Sequence, residues 1–351
     1  MQLTKTAEYL RKCGVEVDFS TQLEPDLTGY DVVHLFNLIR PQEVFLQACN
    51  AKRQGKPVVL STIYVDYSGY ERNARAGLGG WLARHVSPFT MEWIKVIARA
   101  LVNGEINKGS VYTITHGYLN LCRKIVGMTD VFLPNSNSEM QRVYLDFEAA
   151  KEKPFVVVPN AVDTVVFDEK GVVVGDAAKK YEGCVLCVAR IEGIKCQLLL
   201  VQAMRDLPYQ LVLIGKPAPN HLAYFESVKR EAGDQVHFVR QVPHEELAQY
   251  YKAARVHALV SWMETTGLSS LEAGVMGCNL VITDKGDTRD YFGDDAFYCE
   301  PDSVESIRDA IVRAYNAPSN PALIQRIQED YNWEKAAKKT LEGYRIALGQ
   351  V

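Results

Sequence analysis

Two carboxylates at a fixed spacing give the strongest indication of chemistry in this sequence. Glu264 and Glu272 lie in SWMETTGLSSLEAGVMGCNLVIT, residues 261–283, a pattern that predicts a strand end, a sharp loop, a helix and another strand. Eight residues of continuous helix rise about 12 Å, whereas the two carboxyl groups of a glycosidase flank one bond at roughly 5–9.5 Å. We therefore expect the glutamates to contact different parts of one ligand, with Glu272 accepting hydrogen bonds from ribose hydroxyls and Glu264 from hydroxyls of a sugar.

The loop between these glutamates predicts an anion site. Gly267 and Leu268 are expected to open the helix, with Thr265 or Thr266 near its N-cap. A helix start leaves backbone N–H groups without partners and carries a partial positive charge, which suits phosphate oxygens. Gly267 would also let the backbone approach such a ligand closely, because glycine has no side chain.

Two cations upstream extend this prediction to a diphosphate. Arg190 and Lys195 lie in CVARIEGIKCQLLLVQAM, residues 187–204, with Arg190 at a predicted strand end and Lys195 just inside the next helix. Ligands of open α/β sheets bind beyond the carboxyl ends of the strands. Charge-assisted hydrogen bonds from two cations there would contribute roughly 1.5–3 kcal/mol each. Taken alone, the spacing also fits a solvated helix start, and the downstream glutamate motif makes the diphosphate interpretation more specific.

Alternating strands and helices must position these residues. Short β-branched runs predict strands at residues 15–19, 31–36, 56–63, 130–136, 154–160, 183–190, 209–216, 235–242, 254–261, 278–284 and 296–300. Helical patterns lie between and after them, at residues 41–54, 138–147, 194–204, 244–253, 269–276, 304–315 and 333–348. Continuous apolar strands that alternate with helices are typical of parallel sheets covered on both faces. Such strands form either one barrel or two open sheets.

Composition excludes several classes of protein. A length of 351 residues is typical of two domains, and 47% apolar and 23% charged residues argue against long disorder or a coiled coil. The net charge of −4 gives no general attraction for nucleic acid. No run of about 18 apolar residues predicts a spanning helix, and the N-terminus lacks an apolar signal core, so we expect a cytoplasmic protein. The eight cysteines are sparse and predict buried free thiols.

Together these patterns resemble the retaining nucleotide-sugar glycosyltransferases of the GT-B fold, glycosyltransferase family 4, also described as glycosyl transferases group 1. The resemblance covers nearly the whole chain and rests on DVFLPNS (130–136), VVVPNAVDTVVF (156–167), the pair Arg190 and Lys195, the strand Val212–Gly215, and Glu264 through Glu272. It implies an α/β fold of two Rossmann-like domains whose parallel sheets face a cleft. The implied boundaries are an acceptor-binding domain at 1–165, a linker at 166–181, a nucleotide-sugar-binding domain at 182–330, and a helix at 331–351 that crosses back to the N-terminal domain.

The resemblance also implies roles for individual residues. Arg190 and Lys195 would hold the pyrophosphate, and Glu264 would contact the donor sugar, which makes these three the expected catalytic residues. The expected donor-binding residues are Gly215, Thr266, Gly267, Leu268 and Glu272, with the backbone between Phe238 and Val242 at the base. Members of the family need no metal and no cofactor, because the cations serve in place of a metal.

Four departures from the family pattern affect the acceptor and base pockets more than the diphosphate site. The family opens with a strand and a Gly-rich loop, whereas Met1 begins at a segment similar to the helix after that loop, so we expect this first element to be missing. Tyr64 stands where the family often has a histidine, Val260 where a proline is common, and Arg240 where a glycine is frequent.

The predicted function is transfer of a hexosyl group from a UDP- or GDP-sugar to a hydroxyl of a saccharide or lipid-linked acceptor, with retention of anomeric configuration. Cell-surface polysaccharide or glycoconjugate biosynthesis is the expected setting. Alternatives are a sugar-nucleotide epimerase of similar fold, a non-catalytic sugar-binding module, and an inactive paralogue that binds nucleotide only. An epimerase would isomerise free nucleotide sugar without an acceptor.

Several residues keep two interpretations. The segment 91–102 predicts an amphipathic helix whose apolar face, Trp93, Ile94, Ile97 and Leu101, either packs on its own domain or rests on the inner face of a membrane or a lipid-linked acceptor. His34 is either a core histidine or an acceptor contact. Trp262 either packs in the core or stacks on a base, and the segment 287–290 either lies near the donor or does not.

Overall fold

A computed structural model describes residues 2–74, 77–104 and 106–350 and divides them into two compact units. Unit 1 contains residues 2–72, 77–160 and 333–350, and unit 2 contains residues 161–332 together with Asn73 and Ala74. The expected strand and Gly-rich loop before Met1 lie outside the described residues. Residues 166–181, which we expected to link two domains, pack into unit 2, where Phe167 and Ala178 are fully buried.

Unit 1 is built on a small parallel sheet. Its strands are β1 (Val33–Phe36), β2 (Val58–Ser61) and β3 (Val131–Phe132), in the order β1-β2-β3. The helices up to residue 146 are α1 (Gln2–Lys12), α2 (Pro41–Arg53), α3 (Ser68–Asn73), α4 (Gly77–His85), α5 (Pro88–Asn103), α6 (Lys108–His116), α7 (Tyr118–Met128) and α8 (Asn137–Asp146). Apolar side chains of β1, β2, α2 and α7 form its core.

Unit 2 is built on a larger sheet in which every paired strand is parallel. Its strands are β4 (Val185–Val188), β5 (Leu211–Ile214), β6 (Val236–Val239), β7 (Val256–Leu259), β8 (Asn279–Ile282) and β9 (Phe297–Tyr298). The order is β6-β5-β4-β7-β8-β9, so the direction of winding reverses between β4 and β7. Such a reversal opens a crevice at the carboxyl ends of the two strands.

Helices cover both faces of the unit 2 sheet. They are α9 (Asp176–Lys179), α10 (Gln197–Ala203), α11 (Leu222–Glu231), α12 (Leu247–Ala253), α13 (Leu268–Val275), α14 (Thr288–Phe292), α15 (Val304–Asn316) and α16 (Pro321–Asp330). Alternate residues of one strand enter opposite cores, as Val185 and Leu186 do. Burial of both faces explains why these strands are continuously apolar in sequence.

The final helix, α17 (Trp333–Ala347), belongs to unit 1. Its residue Gly343 lies directly against Leu133, since an added Cβ would come within 2.5 Å of the Leu133 side chain. Tyr344, one position later, is buried. No helix within the described ranges is both long and apolar enough to span a lipid bilayer.

The expected α/β architecture with parallel sheets is confirmed, as two open sheets rather than a barrel. Two strand predictions are wrong. Residues 15–19 form no strand, and residues 154–160 contribute only an isolated bridge between Phe155 and Phe132. A β-branched run becomes a strand only when a neighbouring backbone accepts its hydrogen bonds, and local sequence does not specify that neighbour.

Candidate functional site

The carboxyl ends of β4 and β7 bring two loops together in unit 2. After β4 the chain makes a 3₁₀ turn, Gly193–Lys195, before α10 begins. After β7 it forms the loop 260–267 that leads into α13. The two loops are joined by a backbone hydrogen bond of 2.9 Å, which Trp262 N–H donates to the Ile194 carbonyl. The predicted residues Lys195 and Glu264 therefore belong to one local surface.

Lys195 and Glu264 form an ion pair, with the Lys195 ammonium donating to Oε1 of Glu264. Only 18% of the Lys195 side chain and 12% of the Glu264 side chain is exposed to solvent. Charges held away from water interact more strongly with each other and with a ligand than surface charges do. The two residues are 69 positions apart in the sequence. They meet because β4 and β7 are neighbours in the sheet, so the loops that follow these strands are adjacent.

A second loop fixes the backbone of Glu264. Glu264 N–H donates to the Lys285 carbonyl at 3.2 Å, and Asp287 N–H donates to the Glu264 carbonyl at 2.9 Å. Between them lies Gly286, with φ of +95°, where an added Cβ would come within 2.0 Å of the Glu264 carbonyl oxygen. This close approach requires glycine. The loop after β8 thus holds the catalytic candidate in place, and Asp287 lies beside it.

Helix α13 begins at Gly267, which adopts a left-handed conformation with φ of +69°. Gly267 is the N-cap residue and has no side chain to cap the helix, and the two threonines expected near the N-cap, Thr265 and Thr266, directly precede it. The N–H groups of Leu268 and Ser269 lie in the first turn, where they can donate to a bound anion.

Arg190 lies on the β5 side of the site. Its side chain is 72% exposed and forms an ion pair with Glu192 at 3.0 Å, while its carbonyl accepts a 2.9 Å hydrogen bond from Gln197. Gly215, at the end of β5, packs against Ala189, the residue before Arg190. A Cβ added to Gly215 would lie 2.0 Å from the Ala189 carbonyl oxygen. Arg190 is thus an exposed cation, whereas Lys195 is largely buried beside Glu264.

Glu272 is buried on α13 and holds two partners that the sequence analysis missed. Its Oε1 lies 2.8 Å from Nε2 of His244, and its Oε2 accepts a 2.9 Å hydrogen bond from the Tyr251 hydroxyl. The hydrogen bond to Glu272 raises the pKa of His244 above its ordinary value. Burial, followed by the charge of Glu272, raises the pKa of Tyr251, which therefore stays a hydrogen-bond donor.

The sequence held one usable signal for His244. It begins the helical segment that follows β6, close to the carboxyl end of a strand, and that edge of a parallel sheet collects functional residues. Tyr251, two helical turns after His244, gave no comparable sign of function. An aromatic residue in the apolar pattern of a helix is typical of core packing. Its hydroxyl becomes informative only when α12 is seen beside α13.

The residues expected near the base are separate from this cluster. The Phe238 ring is 37% exposed and packs against Phe225, with ring centroids 5.7 Å apart. Val242 is partly buried against the core of unit 2 that contains Leu186 and Tyr251. Trp262 is partly buried against the core that includes side chains of β4 and β7. The role of these residues at a base stays a prediction.

Residues of unit 1 that the sequence analysis singled out mostly make contacts within that unit. The ring nitrogens of His34 each lie 2.9 Å from a hydroxyl, one of Tyr344 and one of Ser61, and burial lowers its pKa to about 3. Tyr64 is buried and donates a 2.8 Å hydrogen bond to Asp146. In α5, Trp93 packs on the unit 1 core, while Leu101 is 78% exposed.

Residues 176–340 match the sequence model of the family described as glycosyl transferases group 1. A D-inositol 3-phosphate glycosyltransferase from Corynebacterium urealyticum is 25% identical over 390 residues, which covers 98% of this chain and 89% of that relative. Residues 176–340 are thus a glycosyl transferases group 1 segment. The predicted resemblance to these enzymes is confirmed, and the chain is a glycosyltransferase of the hexosyltransferase type.

Other relatives of this glycosyltransferase match over shorter segments. A D-inositol 3-phosphate glycosyltransferase from Kribbella flavida is 29% identical, and the match spans 64% of this chain and 58% of that relative. The corresponding protein from Mycolicibacterium smegmatis is 30% identical over 47% of this chain and 40% of its own length.

Solved structures confirm the GT-B fold of this glycosyltransferase. Sucrose-phosphate synthase from Thermosynechococcus elongatus superposes with a TM-score of 0.65 at 20% identity, covering 92% of this chain and 75% of that one. HepE from Anabaena, solved with UDP and glucose, superposes with a TM-score of 0.62 at 13% identity, covering 96% of this chain and 80% of that one. At these identities the likeness concerns the fold alone.

Proposed function

We propose that this glycosyltransferase transfers a sugar from a UDP- or GDP-sugar to an acceptor hydroxyl with retention of anomeric configuration, and that unit 2 binds the donor. The ion pair of Lys195 and Glu264, close in the chain to the start of α13 at Gly267, carries this proposal. It combines a cation, a carboxylate and backbone donors, which match a phosphate and an adjoining sugar.

The diphosphate would bind between Lys195 and the start of α13. Its oxygens would accept hydrogen bonds from the Lys195 ammonium and from the N–H groups of Leu268 and Ser269. Arg190, whose side chain is exposed, would contact the outer phosphate. As the glycosidic bond breaks, negative charge develops on the leaving diphosphate, and donors that are already oriented stabilise that charge more than they stabilise the bound donor.

Glu264 would orient the sugar, and Glu272 the ribose. The Glu264 carboxylate lies beside Lys195 and so adjoins the expected diphosphate position. Each oxygen of Glu272 already has one partner, but a carboxylate oxygen accepts more than one hydrogen bond. Ribose hydroxyls can therefore donate to Glu272 while His244 and Tyr251 fix its orientation.

The leaving phosphate is the proposed base for the acceptor hydroxyl, which accounts for a site without an acid–base pair of glutamates. We propose that the reaction needs no metal, since Lys195 and Arg190 provide the positive charge. The names of the relatives make D-inositol 3-phosphate the first acceptor to test, ahead of saccharides and lipid-linked acceptors. A cytoplasmic location, with contact between the exposed end of α5 and a membrane surface, is part of the same proposal.

The test is incubation of the full chain with a panel of UDP- and GDP-sugars, with and without D-inositol 3-phosphate, in EDTA. We expect release of nucleoside diphosphate that depends on the acceptor, and a product whose anomeric configuration by NMR equals that of the donor. Isomerised nucleotide sugar without acceptor would instead identify an epimerase. Binding of nucleotide without any product would identify an inactive paralogue or a binding module.

A further inference from the structure

Residues 190–196, which we call the cation loop, carry both expected diphosphate cations and connect β4 to α10. The loop after β5 pairs with the first part of the cation loop. Ile191 N–H donates to the Lys216 carbonyl at 2.9 Å, and Ala218 N–H donates to the Ile191 carbonyl at 3.1 Å. The pairing of β4 with β5 therefore continues past the ends of the two strands. Two side chains from outside the cation loop make further contacts with its backbone.

The first of these side chains, Gln197, joins the two ends of the cation loop. It is the first residue of α10, and its Nε2 donates a 2.9 Å hydrogen bond to the Arg190 carbonyl, seven positions earlier. Only 1% of Gln197 is exposed, so its amide is held away from water. The bond therefore fixes the backbone of Arg190, whose side chain is exposed.

The other half of the Gln197 amide has no partner. Its Oε1 is buried, and within the described residues no donor lies at hydrogen-bonding distance. Burial of an amide oxygen without a partner costs free energy, and a methionine, with its unbranched apolar side chain, would avoid that cost. A buried polar group of this kind is expected where function, rather than stability, maintains it. The hydrogen bond to the Arg190 carbonyl is the contact that the amide provides here.

The second side chain, His221, contacts the middle of the cation loop. It is the last residue of the 3₁₀ turn Pro219–His221 after β5, and its Nδ1 accepts a 3.3 Å hydrogen bond from Gly193 N–H. An imidazole nitrogen accepts only when it carries no proton, so His221 makes this contact with its proton on Nε2. Gly193 lies three positions after Arg190 and two before Lys195. The ring therefore fixes the backbone between the two cations.

We propose that Gln197 and His221 are positioning residues for the diphosphate. Gln197 acts through Arg190, by fixing the backbone from which its guanidinium extends. His221 acts through Lys195, by fixing the turn that leads to it. A cation whose backbone is already ordered binds a phosphate more tightly than one that must be ordered on binding. Both roles rest on the proposed function, which assigns the diphosphate to Arg190 and Lys195.

The first test is Gln197→Met in the full chain, studied by calorimetric titration with UDP, UMP, GDP and GMP. Methionine is also long and unbranched, but it cannot donate to the Arg190 carbonyl. We expect the affinity for the nucleoside diphosphate to fall about two- to tenfold, the effect of one hydrogen bond. The monophosphate should lose less affinity, because it lacks the outer phosphate assigned to Arg190. The melting temperature should equal or exceed that of the wild type, since the unpartnered Oε1 is removed.

Gln202→Met is the matched control. Gln202 lies on the same helix, but its Nε2 faces Glu231, at 3.5 Å, so we expect it to bind nucleotides as the wild type does. If Gln197→Met binds the diphosphate as tightly as the wild type, or loses equal affinity for diphosphate and monophosphate, Gln197 does not act through Arg190 and its proposed role is overturned. A wild-type protein that binds neither UDP nor GDP would overturn the proposed function itself, and both positioning roles with it.

A second measurement uses two substitutions of His221. The Oδ1 atom of asparagine stands close to the position of Nδ1 and can accept from Gly193 N–H, whereas leucine has no acceptor. We expect His221→Leu to weaken diphosphate binding by a factor similar to that for Gln197→Met, and His221→Asn to retain most of the wild-type affinity. Equal losses in the two variants, or no loss in either, would overturn the role of the His221 acceptor.

Discussion

Nε2 of His244 lies 2.8 Å from Oε1 of Glu272, so a titratable ring orients the carboxylate that we assign to the ribose. The hydrogen bond to Glu272 raises the pKa of His244 above its ordinary value of 6.5, and the nearby charges of Glu245 and Asp163 act in the same direction. A group whose pKa rises on folding stabilises the folded state fully below its unfolded pKa, and this contribution is lost as the pH rises through the folded pKa.

We predict that His244→Gln destabilises the protein more at about pH 5.5 than at about pH 9. The glutamine retains a donor to Glu272 but has no charge to lose, so the difference in melting temperature between the two proteins should shrink as the pH rises. Thermal unfolding of both proteins between about pH 5.5 and pH 9 measures this difference in melting temperature. His85→Gln is the matched control, because His85 is exposed and lies against Trp81, through its carbonyl at 2.7 Å and its ring, rather than beside a carboxylate. A difference that stays constant with pH would contradict the assigned pairing.

We predict that Lys195→Ala lowers the turnover number by about 10²–10³-fold, the loss typical when one oriented donor to a developing charge is removed. Initial rates of nucleoside diphosphate release measure the effect. Lys252→Ala is the control, since it also removes the cation of a half-buried ion pair in unit 2, that with Glu169 at 2.7 Å. Equal turnover of the two variants would remove Lys195 from the mechanism.

Glu264→Gln should separate donor orientation from diphosphate binding. Without the Glu264 carboxylate, Lys195 has lost its anionic partner in this ion pair. The negative charge of Glu264 would also no longer repel a diphosphate bound beside it. We therefore predict that nucleoside diphosphate binds at least as tightly as to the wild type, while turnover falls. Calorimetric titration with UDP or GDP and steady-state rates provide the two measurements, with Glu169→Gln as the control. Weakened diphosphate binding would place Glu264 elsewhere in the site.

Gly215→Ala should destabilise unit 2 by about 2–3 kcal/mol, the range of strained core substitutions. The residue has φ of +151°, and the added Cβ would meet the Ala189 carbonyl oxygen at 2.0 Å, so β4 and β5 must separate. Gly127→Ala is the matched control, because a Cβ there meets nothing within 4 Å on helix α7. Its effect should be neutral or stabilising by up to about 1 kcal/mol. Denaturant unfolding compares the two variants.

Local patterns predicted the strand and helix elements of unit 2 with few errors. Each strand of that sheet is buried on both faces, so its sequence is an uninterrupted apolar run, as in Val185–Val188 and Leu211–Ile214. The two wrong strand predictions lie in unit 1, and the helices Leu222–Glu231 and Pro321–Asp330 of unit 2 were not predicted. The segment 15–19 has the same local signal as a strand, and it stays unpaired because pairing depends on a neighbour that the segment does not encode.

By itself, the sequence determined which residue types stand at the ends of strands: cations after β4, glutamates and glycine after β7, and a helix start at Gly267. The positions of these residues relative to the strands follow from their spacing along the chain, which can be read from the sequence. Only the tertiary structure decided that Lys195 meets Glu264 and that His244 and Tyr251 hold Glu272. Such contacts join residues far apart in sequence. They depend on strand order and helix packing, and local patterns do not specify these, because the same patterns occur in folds with different strand orders.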